Sequence, residues 1–184
     1  MLRLVLLLSC AVTGFLGACP DGYKPMSASI CYKIIYTPTS ASYDIVYICP
    51  EGYTEIKNPK MCFHVSELED ARSYQSAVDQ CRKMTHGRLV DLDTKEKYGV
   101  VTGYLAALGD KAWDAGSKNY QVWIGLKRSS SSEFKWNTGS TNVPVWGKDE
   151  PDNGPGEDCG QLDRLGISDI GCHYPRRYVC EVPF

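Results

Sequence analysis

Read as a string of apolar and polar positions, the chain changes its period several times. Between Asp70 and Gly87, Tyr74, Ala77, Val78, Cys81 and Met84 recur at helical spacing. This predicts an amphipathic helix with those side chains in the core and Gly87 as its stop. A second helix is expected to begin at Asp93, where Asp93 and Glu96 have the spacing of a capping box. Val100, Val101, Tyr104, Leu105 and Leu108 would form its buried face, and Gly109 would end it. From Tyr120 the texture turns to strands: YQVWIGL is a β-rich apolar run, EFKWNTG and VPVW are shorter candidates, and RRYVCEV closes the chain. Upstream, KIIYTPTSASYDIVYI is rich in Tyr, Ile, Val and Thr and also reads as short strands. Two helices followed by short strands and long loops predict an α+β domain. The stretch from Ser129 to Asp169 is too long for an idle connection, so it is expected to be functional, held by disulfides and an ion.

The first residues have a different character. Arg3 is followed by an apolar run from Leu4 to about Leu16 and then by small residues, the pattern of a secretory signal peptide spanning about residues 1–18. Gly14, Gly17 or Ala18 could each precede the cut. The run is short for a bilayer and no second one follows, so the mature chain is expected to be secreted and extracellular, without a membrane span. Of nine cysteines, Cys10 lies in this leader. The remaining even set (Cys19, Cys31, Cys49, Cys62, Cys81, Cys159, Cys172, Cys180) reads as a disulfide framework.

A repeat organises the mature N-terminus. CPDGYKPMSASICYKI from Cys19 is echoed by CPEGYTEIKNPKMCFHV from Cys49. The simplest physical reading is two small hairpins, each closed by its own bond, Cys19–Cys31 and Cys49–Cys62. Closing a loop of roughly 15 residues contributes about 3 kcal/mol. Residues 19–48 are then an N-terminal extension and 49–184 the main domain.

Net charge is −2, which points away from nucleic acid. The charge is uneven, however: between Lys148 and Asp169 there are seven acids and two bases. Most charge runs are solvated faces. Here KDEPDNGPGEDC places Asp149, Glu150, Asp152, Glu157 and Asp158 among prolines and glycines, and carboxylates that repel one another when empty become complementary around a dication. Calcium takes about six to eight oxygen ligands in flexible geometry.

WIGL (123–126), EPD (150–152), GEDC (156–159), SDIGC (168–172) and YVCE (178–181), in this order and spacing, resemble the C-type lectin-like domain. The likeness runs from about Cys49 to the C-terminus. It implies an α+β fold of two helices, short antiparallel strands and a long calcium-binding loop. It also implies Cys81–Cys180 and Cys159–Cys172 bonds, with Cys49–Cys62 as the hairpin of the long form and Cys19–Cys31 as a second copy. One calcium ion would be held by Glu150, Asp152, Glu157, Ser168 and Asp169, with a cis peptide before Pro151. Sugar would be bound through Glu150, Asp152, Glu157 and Asp169.

Three departures qualify the likeness. The tripeptide has acids on both sides of proline, where sugar-binding members pair one acid with one amide, and an ionised Asp152 only accepts hydrogen bonds. The family's Trp-Asn-Asp is Ile167-Ser168-Asp169, and Ser168 lacks the amide. The NGPG after the tripeptide carries no aromatic, which favours mannose- or fucose-like sugars over galactose. The loop after WIGL has a lone Glu133, so no accessory calcium site is expected.

The resulting expectation is a secreted calcium-dependent lectin for carbohydrate or glycoprotein ligands, in host defence or cell-surface recognition. The alternative is a lectin-like domain that binds protein, matrix or mineral surfaces without sugar. Glu150 and Glu157 as a glycosidase pair are disfavoured by their flexible setting, and neither H-E-x-x-H nor G-x-S-x-G occurs; no enzyme is expected. Tyr120, Trp123, Phe134, Trp136 and Trp146 are expected in the core, Arg176 and Arg177 in a solvated turn, and His173 at the surface. No collagen-like or coiled-coil segment gathers copies, so an oligomer would form through domain faces or the N-terminal hairpin.

Overall fold

The computed structural model of the chain describes residues 19–26, 29–37, 40, 42–109, 121–129 and 133–184. The segment read as a signal peptide, and Tyr120, lie outside the described residues. Each Cys-Pro repeat makes the same tight turn. Gly22 and Gly52 take left-handed φ values of 81° and 78°, and the Tyr23 and Tyr53 N–H groups donate to the Pro20 and Pro50 carbonyls at 2.9 and 3.1 Å.

The two repeats then diverge. In the first, β1 (Lys24–Pro25) pairs only briefly with β2 (Cys31–Thr37), and β2 instead pairs along its whole length with β3 (Ser42–Ile48). The result is a three-stranded sheet in the order β1-β2-β3. In the second, β4 (Thr54–Ile56) pairs with β5 (Met61–Val65), and β5 enters the main sheet. Cys19–Cys31 and Cys49–Cys62 close the two turns. The extension seats on the domain through Ile30 and Tyr47, which cluster with Cys62 and Val182. The Tyr47 hydroxyl also donates to the Ile56 carbonyl at 2.6 Å.

Helix α1 spans Tyr74–Thr85 and buries Tyr74, Ala77 and Cys81, while Met84 is exposed. Its left-handed cap is His86 (φ 54°), one residue before the expected stop. Gly87 answers a different need, since a Cβ there would lie 2.6 Å from the Glu181 carbonyl oxygen. After β6 (Arg88–Leu89), helix α2 spans Lys95–Ala107. Its cap is Thr94, whose side chain accepts from the Lys97 N–H at 3.2 Å; Asp93 is instead paired with Lys97 Nζ at 2.9 Å. Val101 and Leu105 are buried, Val100 and Tyr104 pack at the core's margin, and Leu108 is exposed.

The remaining strands are β7 (Val122–Arg128), β8 (Phe134–Trp136), β9 (Cys159–Asp163), β10 (Gly166–Ile170) and β11 (Arg177–Val182). The main sheet runs β10-β9-β7-β11-β5-β4, with β6 on β11 and β8 on β7. Its pairs are antiparallel except β7 with β11. VPVW forms no strand; Trp146 makes a single bridge to Ile167. The core gathers Phe63, Val101, Leu105, Ile124, Leu126 and Val179, with Phe63 edge-on to Tyr104. Cys81–Cys180 ties α1 to β11, and Cys159–Cys172 braces the β9–β10 hairpin.

Strand β7 is buried from Val122 to Leu126. The glycine of WIGL is required by a close approach, because a Cβ at Gly125 would lie 2.1 Å from Asp91 Oδ1. Buried Asp91 accepts from the Asn137 and Thr138 N–H groups at 3.1 and 2.8 Å, which fixes the chain leaving β8. The turn expected at Arg176 and Arg177 is not simply solvated. The Arg177 Nε donates to the Ser66 carbonyl at 2.7 Å, and Arg176 Nε donates to Gln161 Oε1 at 3.1 Å. His173 is exposed, its ring 4.2 Å from that of Tyr174.

Candidate functional site

The acidic loop leaves Trp146, crosses the end of the main sheet and re-enters it at β9. Backbone bonds pin its start: the Gly147 N–H donates to the Ile167 carbonyl at 2.8 Å, and the Ile167 N–H to the Val145 carbonyl at 3.1 Å. Within it the Glu150–Pro151 peptide is cis, and Asp149 and Asn153 take left-handed φ values of 63° and 57°. Asx-type turns tighten the chain, with the Gly154 N–H bonded to Asp152 Oδ1 at 3.1 Å. Gly154 also permits a close approach, since a Cβ there would meet Glu157 Oε2 at 2.2 Å.

Asp169 is the centre of the site. It sits on β10, and its side chain has no exposed surface. Oδ1 accepts from the Asp152 N–H at 3.1 Å; Oδ2 accepts from the Asn153 N–H at 3.2 Å and from Arg128 Nη2 at 2.9 Å. A buried carboxylate without such partners would cost several kcal/mol. Glu150, Asp152 and Asp169 each present one oxygen such that all three lie within 4.8 Å of one another. Glu150 Oε2 is buried and has no hydrogen-bond partner, an orphaned acceptor beside two other carboxylates.

The electrostatics follow from this crowding. Burial, the contact with Asp169, and the charges of Asp169 and Asp152 push the Glu150 carboxyl up to about 7. Glu157 is also raised, first by its hydrogen-bonding contact with Asp152 and then by burial and the charges of Asp152 and Asp169. Two carboxylates in contact favour a shared proton or a shared cation. The donor set is all oxygen and flexible in spacing, which suits a hard dication such as calcium.

Sequence reasoning placed five residues at this site, and the structure brings Glu150, Asp152 and Asp169 together with Glu157 beside Asp152. Ser168 Oγ is engaged elsewhere, accepting from Gln161 Nε2 at 3.1 Å. Neighbours in a strand point to opposite faces, so Ser168 and Asp169 do not naturally converge.

Arg128, at the end of β7, is the residue that sequence reasoning missed. Its Nε donates to Asp158 Oδ1 at 3.0 Å, Nη1 to Asn153 Oδ1 at 2.9 Å, and Nη2 to the Glu157 carbonyl at 3.0 Å as well as to Asp169. The guanidinium also lies 4.3 Å from the Phe134 ring centroid. One planar cation thereby joins four points of the acidic loop and β10 to β7, a task for which its fixed fork of donors is suited. The available signal was a basic residue directly after WIGLK, which is weak without knowing where the loop returns.

Among the described residues, no helix is long and apolar enough to cross a membrane. A family model described as the Lectin C-type domain matches residues 70–182. The human protein C-type lectin domain family 17, member A is 24% identical over 136 residues, covering 72% of this chain and 32% of that protein. The chain thus spans about a third of that relative's length. The mouse scavenger receptor C-type lectin carbohydrate-recognition domain superposes with a TM-score of 0.58 at 26% identity, covering 73% of this chain and 95% of that one. The Ca2+-independent C-type lectin SPL-2 from Saxidomus purpuratus superposes with a TM-score of 0.59 at 19% identity, covering 72% of this chain and 92% of that one. With the family model matching well over half of the sequence, two helices set against a mostly antiparallel sheet and the long acidic loop returning to it, the chain belongs to the C-type lectin domain family.

Proposed function

We propose that the mature protein is a secreted lectin that holds one calcium ion with Glu150, Asp152 and Asp169, flanked by Glu157, and through this site binds terminal sugars with two neighbouring hydroxyls. The observation that carries the reading is the buried, partnerless Glu150 Oε2 on a side chain that, with Asp152 and Asp169, presents one carboxylate oxygen each within 4.8 Å of one another. A bound ion would supply a Lewis-acid centre for sugar hydroxyls. The chain's own residues do the rest. Arg128 and the Asp152 and Asn153 N–H groups fix Asp169, and the remaining carboxylates offer acceptors to hydroxyl donors. The scavenger receptor domain named above is a carbohydrate-recognition domain, which supports a sugar ligand, and the absence of an aromatic in NGPG favours mannose- or fucose-like sugars. The leader and the disulfide framework support export, with residues 19–48 as an extension and 49–184 as the lectin domain.

The site offers acids where a sugar also needs donors, and Arg128 already balances part of the loop's charge. This favours as second reading a lectin-like domain that binds protein, matrix or mineral without sugar. The test is a glycan array run with calcium and with a chelator. Chelator-sensitive binding that free mannose or fucose competes away supports the lectin. Calcium-stabilised protein that ignores every glycan rejects it in favour of the second reading.

A further inference from the structure

The β2–β3 ribbon has one face made only of tyrosine and isoleucine. Residues paired across an antiparallel ribbon share a face, and the register is Tyr32↔Tyr47, Ile34↔Ile45 and Tyr36↔Tyr43. The root rung is covered by the chain itself. Tyr47 is buried, edge-on to Phe184 at 4.7 Å, and Lys60 Nζ lies 4.6 Å and 4.2 Å from the two rings. The outer rungs are not covered: Ile34 is 55%, Tyr36 50%, Tyr43 72% and Ile45 58% exposed. The Tyr36 and Tyr43 rings lie 5.0 Å apart and form the outer end of the stripe. The opposite face is mixed, with Lys33 opposite Val46 and Ile35 opposite Asp44.

We propose that two copies of the chain associate through this face, about a two-fold axis that sets the Ile34–Ile45 rung of one ribbon on that of the other. The outer rungs carry no charge, and the one cation at the root, Lys60, is already seated on the Tyr47 and Phe184 rings. A charged partner therefore gains little there, whereas a second copy of the same apolar rungs covers them without burying a charge. At roughly 200 Å² for a fully exposed large side chain, the four residues offer about 500 Å² per copy. With all of that surface covered, two copies bury just under about 1,000 Å², the lower edge for a biological interface and short of the roughly 1,200–2,000 Å² of stable complexes, which suits a weak, reversible dimer. Antiparallel packing also carries the outer tyrosines of each copy towards the Tyr47–Phe184 root of its partner, which closes the contact symmetrically.

A lipid bilayer fits less well. The apolar residues lie on the flank of the ribbon, and the turn that would enter first carries Ser40 and Ser42, whose hydroxyls bond to each other at 2.6 Å. Dimerisation gives a chain with one proposed ligand site two of them, and bivalent attachment can strengthen surface binding by orders of magnitude.

The test is sedimentation velocity of the secreted, disulfide-intact protein across micromolar concentrations, with and without a chelator. The expected result is a monomer–dimer equilibrium insensitive to the chelator. The double variant Ile34→Thr/Ile45→Thr keeps β-branched residues and is expected to weaken the dimer on the order of a hundredfold or more. Ile35→Thr, on the opposite face of β2, is expected to leave it intact, and far-ultraviolet circular dichroism confirms folding of both variants. Wild-type protein that stays monomeric at 100 times micromolar concentration overturns the proposal. So does equal weakening by Ile35→Thr, or a monomer that floats with neutral phosphatidylcholine vesicles.

Discussion

On the β2–β3 ribbon, Ile34, Tyr36, Tyr43 and Ile45 stand in water; beneath the acidic loop, Asp169 has no exposed side-chain surface. The two regions invert the usual partition of apolar and charged groups, and they are stabilised by opposite means. The ribbon needs little from its exposed side chains, because its backbone ladder and the Cys19–Cys31 bond hold it. The loop depends on every polar contact, because a buried carboxylate is tolerable only when its oxygens are satisfied. An exposed apolar face and a crowded carboxylate cluster are both surfaces with an unmet demand, one for apolar cover and one for positive charge.

The largest effect is expected at the loop's centre. Asp169→Ala removes the acceptor for Arg128 and for the Asp152 and Asn153 N–H groups, and should cost about 3 kcal/mol in urea unfolding. A loss below about 1 kcal/mol would show that the loop is held by something else. Calcium at about 100 times its dissociation constant should add roughly 2.7 kcal/mol to the wild type, read as several degrees in a thermal scan. Asp169→Ala should abolish that increment. Arg128→Gln should destabilise the chelated protein more than the calcium-loaded one, so that the increment grows; an unchanged or smaller increment would mean that guanidinium and ion are not alternatives in balancing the loop.

Acidity supplies a subtler probe. The Glu150 carboxyl stands at about 7 in the fold against 4.5 for an ordinary glutamate, so between these values the folded state holds a proton that the unfolded state has lost. Stability in chelator should therefore fall as pH rises from about 4.5 to about 7, and saturating calcium should flatten or reverse that slope. The smallest effect belongs to the ribbon. In dilute monomer, Ile34→Thr should change unfolding free energy by no more than about 0.5 kcal/mol; a cost several times larger would mean that this face is part of a core.

Much of the fold was legible because its signals are local or recur at a fixed period. The spacing of Tyr74, Ala77 and Cys81 yields α1, and the apolar run from Val122 to Leu126 yields a fully buried strand. Errors fell where a competing side chain or a packing neighbour decides. Asp93 looks like a cap, but Lys97 claims its side chain and Thr94 caps instead. Gly87 looks like a stop, but its lack of a side chain serves packing against Glu181, and His86 takes the left-handed turn. Met84 and Leu108 continue the helical period beyond the reach of the core. In the site, the carboxylates are visible as a composition, whereas Arg128 becomes meaningful only once β7, β9 and β10 lie side by side.

One bond has a consequence outside folding. Cys81 and Cys180 are separated by 99 positions, so the larger part of the lectin domain is enclosed in a single covalent ring. A protease that nicks the chain anywhere inside that ring opens the backbone without releasing a fragment. The cut protein would still migrate as one species until a reductant is added. In the exported protein proposed above, damage to a surface loop would then be kept from becoming loss of the molecule.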